Sequence, residues 1–89
     1  MVVETVKGPK AVRPVVLIVD DESSVRESFR LILEDQCEIL EAEDGLQALD
    51  LVRSSGVDLI ILDIRLPGMD GIEVLERIKA MDEEIEVIW

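Results

Sequence analysis

Apolar residues in this chain fall into two patterns that alternate from one end to the other. "VVLIV" at 15–19 is an unbroken β-branched and aliphatic run, too short for a typical helix and suited to a strand buried on both faces. After Asp20, Asp21 and Glu22 the period changes, and Val25, Phe29, Ile32 and Leu33 recur at i, i+4, i+7 and i+8, one face of a helix. Its opposite side carries Arg26, Glu27, Arg30 and Glu34. Ser23 or Ser24 is predicted to cap it, with Glu27 completing a capping box from Ser24. "CEILEA" at 37–42 reads as a second strand, near a sheet edge because it carries two glutamates, and "EDG" at 43–45 as a turn. Leu46, Leu49 and Val52 mark one side of a second helix, which ends at Ser54-Ser55-Gly56; Gly56 suits the left-handed residue just past a helix end. "VDLIIL" at 57–62 is a third strand, Ile72, Leu75, Ile78 and Met81 set a third helix, and 85–89 reads as a fourth strand. The order β-α-β-α-β-α-β predicts a parallel sheet with right-handed helical crossovers and helices on both faces. Residues 1–14 mix Lys, Gly, Pro and scattered Val without a sustained period, and are expected to form a flexible leader to a single domain at 15–89.

Composition agrees with this and narrows it. The 89 residues suffice for one domain, and 48% of them are hydrophobic, which argues for a folded globule. Phe29 and Trp89 are the only aromatics, so the core must be built from Val, Ile and Leu, as is usual where parallel strands are covered on both faces. A formal net charge of -12 disfavours direct binding to nucleic acid, whose phosphates need a basic surface, and suits cation binding or plain solubility. Cys37 is alone, so no intrachain disulfide forms; it reads as a small buried filler, and a reducing, cytoplasmic setting is expected. No apolar run approaches the ~18 residues of a membrane span.

The candidate chemistry is acidic. Ligands of an open parallel α/β sheet bind outside the carboxyl ends of its strands. Asp20 and Asp21 end the first strand and Asp63 ends the third, so three carboxylates converge if those strands are neighbours. Crowded carboxylates repel, and a cation relieves that repulsion. With no histidine in the chain and no paired cysteines, the donors are oxygens and point to a hard ion, Mg²⁺ before Zn²⁺. Such an ion orients an incoming phosphoryl group, and carboxylates are known nucleophiles toward one. Glu22, by contrast, also fits as a first-turn residue favoured by the helix dipole.

"VVLIVDDE" followed by a helix, then "DLIILDIRLPGMDGIEVLERIK", closely resembles the receiver domain of two-component response regulators, from about residue 15 to the last. The resemblance implies a flavodoxin-like fold with strand order 2-1-3-4-5. It implies that Asp63 is the phosphoacceptor, taking its phosphoryl group from a histidine kinase with Mg²⁺ as cofactor. Asp21 would bind the ion directly and Asp20 more through water, with the backbone carbonyl of Arg65 completing the protein ligands. Pro67 and Gly68 would shape the turn beside the acceptor, and Gly71 would open the third helix with Asp70 near its N-terminus.

Against that family pattern the sequence reads as incomplete. The fifth strand and last two helices are missing, and with them a hydroxyl residue at the tip of the fourth strand and a lysine at the end of the fifth. Phosphorylation is therefore expected to be impaired, while Mg²⁺ binding needs only the three aspartates and a carbonyl. The fourth strand becomes an exposed apolar edge, which predicts a homo-oligomer, a dimer by edge pairing or exchange of elements, with Trp89 buried in the contact. Three functions stay open. One is a signalling module phosphorylated on Asp63, and a second is a non-signalling receiver fragment that self-associates. The third is a small Mg²⁺-dependent hydrolase, whose nucleophile would be expected on the first strand, with a second Asp two residues on. Phosphorylation of Asp63 separates the first two, and phosphomonoester turnover lost on Asp20→Asn would mark the third.

Overall fold

A computed structural model describes residues 13–66 and 68–89. Four strands, β1 (Val15–Val19), β2 (Glu38–Ala42), β3 (Leu59–Leu62) and β4 (Glu86–Ile88), form one parallel sheet in the order β2-β1-β3-β4. The expected α/β architecture and edge position of β2 are therefore found. The strands are shorter than the apolar runs suggested: Cys37, Val57, Asp58, Ile85 and Trp89 fall just outside them. Cys37, Val57 and Ile85 are nonetheless buried, Cys37 in a cluster with Leu33 and the other two in the cluster that holds Val52 and Ile78. Cys37 is a free thiol, as its filler role requires.

Side chains alternate across β1. Leu17 and Val19 join a cluster with Ala48, Leu49 and Val52 of α2 (Gly45–Ser54) and Val74 and Ile78 of α3 (Gly71–Met81). Val16 and Ile18 face the other way, toward Leu33 of α1 (Ser23–Leu33), Cys37 and Ile39. Both faces of β1 are thus dry, which is why its sequence is continuously apolar.

Each helix presents a face slightly rotated from the one its apolar residues suggest. Ile32, Leu46, Ile72 and Met81, all read as core positions, are exposed. The buried residues of α2 are Gly45, Ala48, Leu49 and Val52, and those of α3 are Gly71, Val74 and Ile78. Small residues let the helices approach their neighbours closely, and that close approach sets the face: a Cβ on Gly45 of α2 would lie 2.7 Å from Val74 of α3.

The helix ends also correct the sequence reading. The N-cap of α1 is Glu22, without a side-chain cap, so the Ser24–Glu27 box does not form. Its start is set instead by Asp20, whose Oδ1 accepts the Glu22 amide at 2.9 Å. Gly56 has no positive φ; Ser55 leaves α2 in extended conformation, and the Val57 amide reaches the Ser55 carbonyl to close a tight turn. Asp44 caps α2 through the Gln47 amide, while the Gln47 side chain accepts from the Glu43 amide. Of the expected leader, residues 1–12 lie outside the described residues. Arg13 donates to the carbonyls of Glu34 and Cys37, and the Pro14 carbonyl accepts from Glu38, so these two are docked. Lys79 donates to the carbonyls of Glu83 and Ile85, fastening the exit of α3 to the approach of β4.

Candidate functional site

The site grows out of two adjacent strand ends. β1 and β3 are paired, and each ladder extends one residue further: the Asp20 amide donates to Ala42 and the Asp63 amide to Val19, both at 3.0 Å. Each aspartate then bends its chain out of the sheet by the same device. Asp20 Oδ1 accepts from the amide two residues on, Glu22, and Asp63 Oδ1 accepts from that of Arg65, both at 2.9 Å. This arrangement holds the carboxylates on rigid backbone and engages one oxygen of each. Asp21 lies between the first turn and α1, more exposed than the other two.

Ligand oxygens of Asp20, Asp21 and Asp63 all lie within 4.8 Å of one another. Mg²⁺ holds oxygens at about 2.1 Å, so the three carboxylates would have to draw closer together to share one ion. The donor set is oxygen throughout, the chemistry of a hard cation. Asp20, Asp63 and Arg65 share a surface cleft of about 460 Å³ with Phe29 and Trp89. Arg65 is exposed at its mouth.

The segment after Asp63 is held by close packing. Leu66 is buried and Met69 half-buried against the α2–α3 side of the core. Gly68 has φ +83°, the only positive value among the described residues, a conformation that glycine adopts at little cost. Pro67, expected to shape the same turn, lies outside the described residues. Asp70 caps α3 through the Ile72 amide, and Gly71 opens that helix, both as the resemblance implied. Gly71 rests directly on the Ile64 backbone: its amide donates to the Ile64 carbonyl, and a Cβ there would lie 2.3 Å from the Ile64 Cα.

A second set of charges flanks the first strand end. Arg26, on the helix side opposite the apolar face, is nonetheless largely covered. Its Nε donates to Glu41 Oε1 at 3.0 Å and its Nη1 to the Asp20 carbonyl at 2.7 Å. Arg30 donates to the other Glu41 oxygen at 2.7 Å. The Arg30 hydrogen bond, reinforced by Arg26, holds the Glu41 carboxyl below the usual glutamate range, against the opposing effect of partial burial. Nothing in the linear order of α1 and β2 signals this cluster; it arises where a helix crosses an edge strand.

Residues 16–89 match the family model of the response regulator receiver domain. Sporulation initiation phosphotransferase F of Bacillus subtilis (strain 168) is 45% identical over 74 residues, 82% of this chain and 60% of that protein. Response regulator MprA of Mycobacterium sp. (strain KMS) is 35% identical over 74 residues, 82% of this chain and 32% of the relative. Among solved structures, a CheY-like receiver domain from Methanospirillum hungatei JF-1 superimposes with a TM-score of 0.83 at 28% identity, covering 85% of this chain and 62% of that one. The response regulator TrrA of Thermotoga maritima, solved in complex with Mg²⁺-BeF, gives 0.78 at 39% identity, covering 83% and 65%. The chain thus spans under two thirds of these relatives.

The chain belongs to the response regulator receiver domain family. Its four-stranded parallel sheet is the flavodoxin-like arrangement of that family, represented over part of its length. Receiver domains are signalling modules of two-component systems rather than turnover enzymes; they take phosphoryl groups from histidine kinases and bind Mg²⁺ at an acidic pocket. Among the described residues no helix is long and apolar enough to cross a membrane.

Proposed function

We propose that this chain is the phosphoacceptor of a two-component pathway in the cytoplasm, with Asp63 as the residue phosphorylated by a histidine kinase. The observation that carries the reading is the approach of Asp20, Asp21 and Asp63 to within 4.8 Å at the ends of two paired strands. Mg²⁺ would be held by these carboxylates and the Arg65 backbone carbonyl, neutralising charge on both the carboxylates and the phosphoryl oxygens. An Asp63 carboxylate oxygen attacks phosphorus, forming an acyl phosphate as the bond to the donor nitrogen breaks and the donor imidazole leaves. The Asx turn to Arg65 fixes the Asp63 carboxylate for that attack.

Incubating the chain with Mg²⁺ and acetyl phosphate, with acetate as leaving group, tests the reading by intact mass. A single phosphoryl adduct on the wild type and none on Asp63→Asn is the expected result. No adduct on the wild type, or an equal one on the variant, would overturn it.

One further observation supports association as a second property. Among the described residues β4 is an edge strand, and Ile88 at its end and Trp89 just beyond are 56% and 64% exposed. We propose that two copies pair along this edge, burying Trp89. Sedimentation velocity across a concentration series should show a dimer that Ile88→Lys removes; a monomer at every concentration would sink the idea.

A further inference from the structure

We propose that Arg26 is a positioning residue for the acidic site, fixing the peptide that joins Asp20 to Asp21 and so setting the direction of both carboxylates. The inference rests on the proposed Mg²⁺ site and adds a residue outside its ligands. A peptide group is planar, so its orientation is fixed once its carbonyl is held. The carbonyl of Asp20 belongs to the peptide preceding Asp21, and it accepts Arg26 Nη1 at 2.7 Å. The Asp20 amide is held by Ala42 and its carboxylate by the Glu22 amide. The Arg26 contact completes the set, so that Asp20 is fastened at its amide, carbonyl and side chain.

The guanidinium can act as a strut because its other end is anchored. Nε is bonded to Glu41 on β2, one residue before Ala42, which receives the Asp20 amide. The Arg26 amide also closes the first turn of α1 on the Glu22 carbonyl. The side chain is only 14% exposed, which restricts other rotamers. A planar fork with several donors can bridge two acceptors in this way, whereas an ammonium cannot reproduce the fixed geometry. Arg30 supplies an internal comparison, since it shares Glu41 but makes no bond to the Asp20 carbonyl.

Coulomb's law and positioning predict opposite signs. Removing a cation beside an acidic cluster should tighten Mg²⁺ binding if charge is all that matters. Loss of the strut should weaken it, by about tenfold for a group that orients metal ligands. The test is calorimetric titration of the 89-residue chain with Mg²⁺ at fixed ionic strength, for wild type, Arg26→Met, Arg26→Lys and Arg30→Met. Circular dichroism and urea unfolding establish that each variant is folded at the titration temperature.

Wild-type binding that falls about tenfold in both Arg26 variants and holds within twofold in Arg30→Met is the expected result. Arg26→Met binding as tightly as wild type, or tighter, would overturn the proposal. So would Arg26→Lys matching the wild type, since charge would then suffice. Should Arg26→Met fail to fold, the comparison of Arg26→Lys with Arg30→Met decides by the same criterion. A wild type that takes up no Mg²⁺ would instead overturn the metal site itself, and with it this role for Arg26.

Discussion

Leu17 and Val19 point from β1 into a layer where α2 and α3 lie side by side, while Val16 and Ile18 point to a layer where, among the described residues, α1 is the only helix. All four are buried, so β1 does not distinguish the two faces. β3 does: Ile60 and Leu62 are buried on the two-helix side, whereas Leu59 and Ile61 are half-buried on the other. A helix is about 10 Å across and strands are spaced about 4.8 Å apart, so a single helix covers roughly two strands. α1 packs on β1 and β2. Beyond it lies an apolar groove lined by Phe29, Leu59, Ile61 and Ile88. Among the described residues two helices cover one face and one covers the other, so the same alternation of side chains yields a closed core on one face and a half-covered one on the other.

Truncating neighbouring residues of β3 is the strongest way to break this comparison. Ile60→Ala should cost about 3–4 kcal/mol, because a fully buried side chain leaves a cavity; Ile61→Ala should cost about 1–2 kcal/mol, since its surroundings already meet solvent. Urea midpoints at a common slope read both values, and equal costs would mean that the groove is closed in solution. The two-helix side also carries the loop that follows Asp63, and Gly71→Ala probes that connection. Its Cβ would strike the Ile64 backbone, so a loss of about 2 kcal/mol is expected. Phosphorylation by acetyl phosphate should slow more than stability falls, because Ile64 is next to the acceptor. Unchanged stability and rate would show that the loop yields freely.

The smallest effect concerns the one-helix side, where Arg26, Arg30 and Glu41 clamp α1 to β2. Glu41→Gln should cost about 1 kcal/mol at neutral pH. Because the folded-state pKa of Glu41 is depressed, its contribution is full above the ordinary glutamate range and is lost as pH falls through the lower folded value. The stability gap between wild type and variant should therefore close in acid. A gap independent of pH would assign the cost to packing.

Much of the site was readable in one dimension. The unbroken run at 15–19 demanded a strand covered on both faces and the nearly apolar run at 57–62 a third strand, and polar residues directly after them had to lie at the sheet's carboxyl edge. That placed Asp20, Asp21 and Asp63 together once β1 and β3 were neighbours, and the pairing met that condition. The Asp44-x-x-Gln47 spacing also carried a legible cap that the sequence reading took for a turn. The rotation of the helices was less legible. Leu46 and Ile72 lie on apolar stripes by spacing, yet small residues beside them permit a closer contact and turn those side chains to solvent.

Local sequence thus determined the elements, their order and the carboxylates at the strand ends, because hydrophobic period and turn chemistry act over a few residues. Tertiary structure alone decided which face of each helix is buried, how far one helix covers the sheet, and that Arg26 meets both Glu41 and the Asp20 carbonyl. Those outcomes depend on distances between elements far apart in the chain, and such distances are set only when the layers pack.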